Sequence, residues 1–293
     1  MLNPTRLSQL FCIIFAIFLV ASHSPKSFAV EINIDDELFE LNRINEHVLI
    51  ASQAFGNTRI NFGIVIGTDE VVLISSMMRR NVQSIEELVR HVSGKPISKV
   101  IVIDSDPFHH NGSGYFKDKG ATVIGHENLL SANVAIDIGF SSDIVIDVGT
   151  EKIRMTHTKA HSQDHAYVTL ENSNVLFTGD ALRNDWLIYS GKNGWKTHIN
   201  ELRSIREQHT NNTLYVPGNR GKHISSSAQE VDRLINIYEE FRQSVIKLAR
   251  EGLSSEAIAR EDEITQLLTS FERYEEFEPY IIHHVEEVLA FSH

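Results

Sequence analysis

Short apolar runs separated by polar turns dominate the chain from Val30 to about Gly221. Most of these runs are three to five residues long and rich in Val and Ile, which is typical of buried β-strands. They predict strands at Val48–Ser52, Gly63–Ile66, Val71–Ser75, Lys99–Ile103, Thr122–Ile124, Ile144–Val148, Lys152–Thr156, Tyr167–Leu170, Val175–Phe177 and Leu214–Val216. Two stretches between them have apolar residues at helical spacing and predict amphipathic helices at residues 81–92, with Asn81 as the cap, and 195–205.

The pattern changes at Ser225. One long amphipathic helix is predicted by apolar residues at helical spacing, namely Val231, Leu234, Ile235, Tyr238, Phe241 and Val245. Two or three further helical segments continue to the C-terminus, with Gly252 after the long helix and Pro279 as the first residue of the last one. Internal repeats and low-complexity linkers are absent from the sequence. The pattern therefore predicts one mixed α/β body with a helical C-terminal extension.

The first 29 residues have the layout of a secretory signal peptide. Arg6 supplies an early positive charge, an apolar run extends from Leu10 to Ala21, and a polar segment ends at Ala29. The apolar run is shorter than the ~20 residues that a membrane-spanning helix needs, which disfavours a retained anchor. We expect a signal peptide at residues 1–29, a main α/β domain at 30–224 and the helical extension at 225–293, in a protein exported to the periplasm or secreted.

Charge and cysteine content restrict the classes of partner and of chemistry. The chain carries a net charge of −12, and removal of Arg6 and Lys26 with the signal peptide would make it −14. Such an acidic protein is not expected to bind nucleic acid or an anionic membrane, since both need clustered Lys and Arg. The single cysteine, Cys12, lies in the predicted signal peptide. The mature chain would therefore have no disulfide, no thiolate metal ligand and no cysteine nucleophile.

Candidate chemistry begins in residues 104–116, which are DSDPFHHNGSGYF. Asp104 and Asp106 follow a predicted strand, and if the chain stays extended there, both carboxylates point to the same side. Two carboxylates in one space repel each other unless a cation or a proton lies between them. A bound metal ion would explain the pair. The alternative is that both residues accept backbone N–H groups in a turn.

This segment resembles the signature of the metallo-β-lactamase superfamily, which is His-x-His-x-Asp-His followed by a glycine-containing turn. The pair Tyr115-Phe116 and the stretch Gly120-Ala121-Thr122-Val123 are similar to the glyoxalase-II-like and sulfur-oxidation-associated hydrolase branch. These residues set the register of the comparison. A competing register takes His110 as the last motif histidine, but it would place Ser105 and Pro107 at ligand positions and turn alternate side chains to the other face.

In the preferred register, several motif positions are changed. Asp104 and Asp106 stand at the first two histidine positions, Phe108 stands at the aspartate position, and His109 stands at the last histidine position. Phe108 cannot coordinate a metal and would instead fill the pocket. His110 follows the motif and is a candidate outer or substrate-facing residue.

The remaining motifs follow in the order that the family has. His161-Ser162 resembles the next histidine motif, residues 175–180 end at the position of the bridging aspartate, Asp180, and Val216-Pro217-Gly218-Asn219 has Asn219 in place of a histidine. Ser75 also replaces the aspartate that is usual after the second strand. The resemblance covers about residues 40–235. It implies an αβ/βα four-layer sandwich in which two sheets pack face to face with helices outside.

For metal binding, the resemblance implies a degenerate site. Its first metal position would have Asp104, Asp106 and His161, with Asp180 alongside. Its second would keep only His109 and Asp180, because Asn219 is a poor neutral donor. We therefore expect one divalent ion, Zn²⁺ or a harder ion such as Mn²⁺ or Fe²⁺, because carboxylates are hard donors. His165 and Asn219 are candidate outer residues.

Three functional hypotheses follow. The first is an exported metal-dependent hydrolase with an altered, single-metal site and a substrate that the pattern does not name. The second is a non-catalytic relative that binds a small molecule or a protein in the former active-site cleft, because Phe108 and Asn219 replace groups that the chemistry needs. The third is an assembly component that meets a protein partner through its C-terminal helices.

Overall fold

The computed structural model describes residues 38–56 and 58–291. The predicted signal peptide lies outside these residues. Within the described ranges, the strands are β1 Phe39–Arg43, β2 Val48–Phe55, β3 Thr58–Ile66, β4 Val71–Ile74, β5 Lys99–Val102, β6 Thr122–His126, β7 Ile138–Phe140, β8 Asp143–Asp147, β9 Lys152–His157, β10 Ala166–Leu170, β11 Val175–Gly179, β12 Leu214–Pro217 and β13 Asn219–Arg220. The ten predicted strands all form, with bounds shifted by a few residues at most, except β2 and β3, which are longer than predicted. The short edge strands β1 and β7 and the two-residue strand β13 lacked a recognisable apolar pattern.

The described helices cover the outer faces and the C-terminal region. They are α1 Val82–Ser93, α2 Pro107–His110, α3 Ser113–Asp118, α4 Gly194–Glu207, α5 Ala228–Arg250, α6 Ser255–Ile258, α7 Asp262–Leu268, α8 Tyr274–Phe277 and α9 Ile281–Ala290. Short 3₁₀ turns lie at Arg79–Asn81, Glu127–Ala132, Gly191–Asn193 and Glu278–Tyr280. None of the helices in the described part of the chain combines the length and the apolar composition of a membrane span.

Two sheets arise from these strands. The first has the order β1-β2-β3-β4-β5-β6-β7, with β13 paired to β3, and the second has the order β12-β11-β10-β9-β8. The first sheet is antiparallel up to β4 and parallel from β4 to β7. In the second sheet the β11–β12 pair is parallel and the other pairs are antiparallel. Parallel strands carry their C-terminal ends to one edge, where α/β proteins place their ligand sites.

Side chains on successive positions of β2 explain how the layers pack. Val48 and Ile50 face the second sheet, whereas Leu49 and Ala51 face the outer helices, and all four are buried. The middle core joins residues of both sheets, for example Ile101 of β5 and Val168 of β10. One outer core packs α1 on the first sheet. The order helix, sheet, sheet, helix confirms the predicted four-layer sandwich.

The C-terminal helices complete the other outer layer. A single buried cluster joins Leu176 of β11, Trp195 of α4, Val231 of α5 and Val285 of α9. Burial of this much apolar surface is favourable by roughly 25 cal/mol per Å². The helical extension therefore packs on the second sheet and shares its core.

One predicted side-chain cap and one predicted helix start differ from the structure, although α1 begins beside Asn81 as predicted. Asn81 precedes α1, but its side chain makes no cap hydrogen bond, because residues 79–81 already form a 3₁₀ turn and Asn81 has a ψ of 0° instead of an extended one. Pro279 does not begin the last helix. It lies in the 3₁₀ turn Glu278–Tyr280, and α9 begins at Ile281. Gly252 follows α5 with a φ of +95°, as expected of a residue that ends a helix.

Candidate metal centre

The predicted ligands come from the segments that follow three strands and from one short helix. Asp104 and Asp106 follow β5, His109 lies in α2, His161 lies between β9 and β10, and Asp180 follows β11. Asp106, His161, Asp180, Phe108 and His109 line one cavity of about 230 Å³. The fold therefore brings together residues that are 74 positions apart in the chain, from Asp106 to Asp180.

Three donors form the tightest group. One ligand atom each from Asp106, His161 and Asp180 lies within 4.8 Å of the others, the only such group of metal-binding side chains in residues 38–56 and 58–291. His161 Nε2 lies 3.5 Å from Asp106 Oδ2. An imidazole and two carboxylates at this separation can hold a divalent ion.

His161 is oriented by a backbone group. Its Nδ1 lies 2.8 Å from the carbonyl oxygen of Tyr189, and because a carbonyl only accepts, Nδ1 carries the proton. In the neutral ring this leaves the lone pair on Nε2, which faces the carboxylates, as metal-binding histidines require. Burial alone would lower the pKa of His161, but the carboxylates of Asp106, Asp180 and Asp104 raise it to about 10. A metal ion would therefore have to displace a proton.

Asp180 presents an unsatisfied carboxylate oxygen. Its Oδ1 is buried and has no hydrogen-bond partner within the described residues, which is costly for a charged group unless a cation is nearby. Gly218 allows this arrangement, since a Cβ there would lie 2.6 Å from Asp180 Oδ1. Burial raises the pKa of Asp180, but His109, His161 and Arg183 together hold it well below its usual range. The carboxylate is therefore ionised and available to a cation.

Asp104 lies beside this group, but its carboxylate is already engaged. Its Oδ1 accepts the backbone N–H of Asp106 at 2.9 Å, and its Oδ2 lies 3.0 Å from Nδ1 of His165. The chain consequently bends at Asp104, and the extended alternation expected for residues 104–106 is wrong. Asp104 is buried, whereas Asp106 is partly exposed. The two carboxylates do not share one space in the way that an extended strand would place them.

His165 supports Asp104 from behind. The ring is fully buried, and its Nε2 donates to the carbonyl oxygen of Thr178 at 2.9 Å. His165 thus lies behind Asp104 and outside the group of three donors, and its role as an outer residue of a metal site stays a prediction. Burial raises the pKa of Asp104, but His109, His165 and His161 lower it below its usual value.

His109 is also held on both sides. Its Nδ1 lies 2.7 Å from Ser75 Oγ, and its Nε2 lies 3.8 Å from Asp180 Oδ1 and 3.9 Å from Asp104 Oδ2. Burial lowers the pKa of His109, but Asp104 and Asp180 raise it to about 9. His109 is therefore placed between the two carboxylates, beside the group of three donors.

The positions that the sequence marked as changed have other contacts. Phe108 packs edge-on against Phe55 with ring centroids 4.7 Å apart. Asn219 lines the cavity, and its Oδ1 accepts a hydrogen bond from Thr58 Oγ1 at 2.7 Å. His110 is partly buried and is not among the residues that line the cavity. Its pKa is lowered by burial.

Sequence reasoning missed three contributors to the site. Ser75 was noted only as a replacement, Tyr189 contributes through its backbone oxygen, and Arg183 lines the cavity. No ligand motif marks these residues. The one available signal was Ser75, where a polar residue ends an apolar strand at a position that the family fills with a different polar residue.

Comparisons with known proteins agree with this architecture. Residues 99–211 match the family model of the metallo-beta-lactamase superfamily. The chain is similar in structure to a metallo-beta-lactamase from Pontibacter korlensis, with a TM-score of 0.61, 14% identity and coverage of 69% of this chain and 99% of that one. The metallo-beta-lactamase IND-7 has a TM-score of 0.59 and 16% identity, and the match covers 68% of this chain and 98% of that one. The metallo-beta-lactamase from Erythrobacter litoralis, solved with beta mercaptoethanol in its active site, has a TM-score of 0.59 and 13% identity. This match covers 69% of this chain and 96% of that one. No curated protein matches the chain.

The predicted resemblance to the metallo-β-lactamase superfamily is thereby confirmed, over residues 99–211 by the family model and for the fold by the solved structures. At this level of identity the structural neighbours show the fold alone. The glyoxalase-II-like branch stays a prediction.

Proposed function

We propose that this protein of the metallo-β-lactamase superfamily is an exported metal-dependent hydrolase with a single divalent ion between Asp106, His161 and Asp180. The observation that carries the proposal is the convergence of these three donors within 4.8 Å in a cavity of about 230 Å³. Export rests on the pattern of residues 1–29. Zn²⁺ is one candidate ion, and the two carboxylates also suit the harder ions Mn²⁺ and Fe²⁺.

The donor set fits such an ion in two respects. Asp180 Oδ1 is buried without a partner among the described residues, and His161 is fixed by Tyr189 so that Nε2 faces the cavity. When bound there, a divalent ion supplies the polarisation of a substrate carbonyl and the acidification of water. We propose Asp104 and His109 as supporting residues. The five ligands that the sequence predicts are thereby reduced to Asp106, His161 and Asp180.

A single ion is favoured over a pair. Phe108 replaces a carboxylate with an apolar ring that packs on Phe55, and the Asn219 side-chain oxygen is occupied by Thr58. Only Asp180 and His109 would remain for a second ion, and two donors are too few for a stable site.

The reaction class is hydrolysis of a carbonyl substrate such as an ester, a thioester or an amide. The aromatic ring of Phe108 and the side chain of Ile60 add apolar surface to the wall of the cavity that also holds the charged donors. Hydrolysis of β-lactams does not follow from the similar structures, because one fold hosts many substrates.

Metal analysis of protein purified without chelator tests the proposal. We expect about one equivalent of metal, retained after reloading with Zn²⁺ or Mn²⁺ and lost in Asp180→Asn and His161→Ala. Asp69→Asn removes an exposed acid outside the site and is the matched control. Absence of bound metal in the wild-type protein after reloading would refute the metal centre.

A second candidate function is ligand binding without catalysis, favoured by Phe108 and Asn219 at positions where the family has metal ligands. Turnover of generic esters and thioesters by the metal-loaded protein distinguishes the two. Turnover that disappears in His161→Ala supports the hydrolase. A fully metal-loaded protein without turnover on a broad ester and thioester panel supports the binding protein.

A further inference from the structure

We infer that an aromatic cleft outside the candidate metal centre selects substrates with a flat aromatic group and a negatively charged substituent. The aromatic cleft is defined by Phe55, Phe108, Arg183, Tyr189, Phe277 and Tyr280. The assignment of the bound molecule as a substrate rests on the proposed hydrolase function. The binding of such a molecule in the cleft does not depend on that function.

The cleft adjoins the metal-centre cavity. The inner cavity of about 230 Å³ and an outer cavity of about 450 Å³ share Arg183, Tyr189 and Asn219 in their walls. A molecule whose reacting carbonyl lies at Asp106, His161 and Asp180 therefore extends into the outer cavity. Together the two cavities are large enough for a bicyclic aromatic compound.

Aromatic rings form two walls of this path. Phe108 lines the inner cavity and contacts Phe55 edge-on at 4.7 Å, and Phe55 lines the outer cavity. Tyr280 lines the outer cavity from the C-terminal region. Phe55 is 40% exposed and Tyr280 is 55% exposed, so both keep ring surface in contact with water. A flat aromatic group would cover this surface and stack on it.

Arg183 supplies the positive charge of the cleft. The residue is 5% exposed, and its guanidinium lies 5.1 Å from the ring centroid of Tyr189 and 5.6 Å from that of Phe277. Its Nε is buried and has no hydrogen-bond partner within the described residues. A guanidinium fixed between two rings with unused donor capacity is suited to a carboxylate.

The C-terminal region holds its part of the cleft rigidly. Phe277 stacks on Trp186 with centroids 4.9 Å apart and planes at 22°. Arg273 lies 4.6 Å from the Phe277 centroid and donates to Asp185 Oδ2 at 3.0 Å. The helical extension thereby has a role in substrate selection. Phe108, which stands where the family has a metal ligand, instead forms part of an aromatic wall.

Other ligand classes match the cleft less well. A neutral acyl chain would cover the rings but leave the buried Nε of Arg183 without a hydrogen-bond acceptor, which is costly. A small polar anion would satisfy Arg183 but leave Phe55 and Tyr280 exposed. An aromatic carboxylate satisfies both.

Equilibrium binding of 2-naphthoate and of its neutral analogue 2-naphthamide tests the inference in metal-free and Zn²⁺-loaded full-length protein. Trp186 and Trp195 are the only tryptophans of the chain, and the stacking of Trp186 on Phe277 makes its fluorescence a direct report of occupancy. We expect naphthoate to bind more tightly than naphthamide. Phe55→Ala and Tyr280→Ala should weaken both compounds by roughly threefold to tenfold.

Arg183→Gln should remove the preference for naphthoate, so that the ratio of the two affinities falls to about one. Leu130→Ala, which changes an exposed apolar residue outside the cleft, is the matched control and should bind both compounds as the wild type does. Because Arg183 is buried, its variant is compared only if its circular dichroism is native. If the circular dichroism of Arg183→Gln is not native, the variants Phe55→Ala and Tyr280→Ala, which change exposed residues, decide the test.

The outcomes separate this inference from the proposed function. Equal binding of the two compounds, or affinities unchanged in both Phe55→Ala and Tyr280→Ala, would overturn the aromatic cleft even if the metal centre is confirmed. Selective naphthoate binding that persists in metal-free Asp180→Asn supports the cleft independently of the metal centre.

Discussion

Ser75 Oγ lies 2.7 Å from Nδ1 of His109, and both side chains are buried. Ser75 stands directly after β4 with a φ of +69°, a conformation that few residues other than glycine adopt. The contact turns the other ring nitrogen toward the carboxylates of Asp104 and Asp180. A hydroxyl can donate or accept, whereas a carboxylate only accepts, so Ser75 permits either tautomer of His109.

Removal of this hydroxyl should destabilise the protein. Ser75→Ala leaves a buried imidazole nitrogen without its partner, and we expect the free energy of unfolding to fall by about 1–3 kcal/mol. The backbone strain is the same for both residues, since neither is glycine. Urea denaturation measures the change. Ser190→Ala is the control, because Ser190 is fully buried and its Oγ has no partner in the described part of the chain; an equal loss in both variants would argue against the contact with His109.

Asp104→Asn separates a supporting role from a ligand role. As a residue that positions the site through His165 and Asp106, Asp104 should contribute about 10–100-fold to metal affinity. Competition titration with a chromophoric chelator measures this factor. If Asp104→Asn instead abolishes binding as completely as Asp180→Asn, Asp104 is a direct ligand, as the sequence register implies.

Metal affinity should rise with pH. The pKa of His161 is raised to about 10 and that of His109 to about 9, so both rings are protonated at pH 8 in the metal-free protein. Binding at His161 Nε2 must release its proton. Calorimetry in two buffers of different ionisation enthalpy should detect about one proton released per metal ion at pH 8. A binding enthalpy independent of the buffer would contradict this.

The raised pKa of His161 also affects the stability of the metal-free protein. A histidine whose pKa is raised on folding stabilises the fold fully below its unfolded pKa of ~6.5. That contribution is lost as the pH rises through about 10. In the presence of chelator, the wild type should therefore lose stability between pH 6.5 and 10, and His161→Gln should lose less.

His198 should make the fold less stable at acid pH. Its Nε2 donates to Ala181 O at 2.9 Å, its Nδ1 is buried without a partner in the described residues, and burial lowers its pKa to about 3. The unfolded chain takes up the proton near pH 6.5 and the folded chain does not. The stabilising contribution is present above pH 6.5 and is lost as the pH falls toward 3. His198→Gln should lower this acid sensitivity, whereas the exposed His91→Gln should not change it.

The sequence by itself determined the fold and the order of its motifs. Apolar runs such as Val71–Ile74 and Val175–Gly179 predict strands through local periodicity. The motif matches at His161-Ser162 and at residues 175–180 placed His161 and Asp180 at ligand positions. Both kinds of inference depend on residues close together in the chain, so one sequence suffices for them.

Only the tertiary structure decided which donors meet. Asp104 and Asp106 are indistinguishable by pattern, yet a bend and His165 bury Asp104 while Asp106 faces His161. Tyr189 and Arg183 entered the site because the segment after β11 meets the loop that carries His161. Hydrogen bonds across the fold fix these side chains, and residues distant in sequence form them.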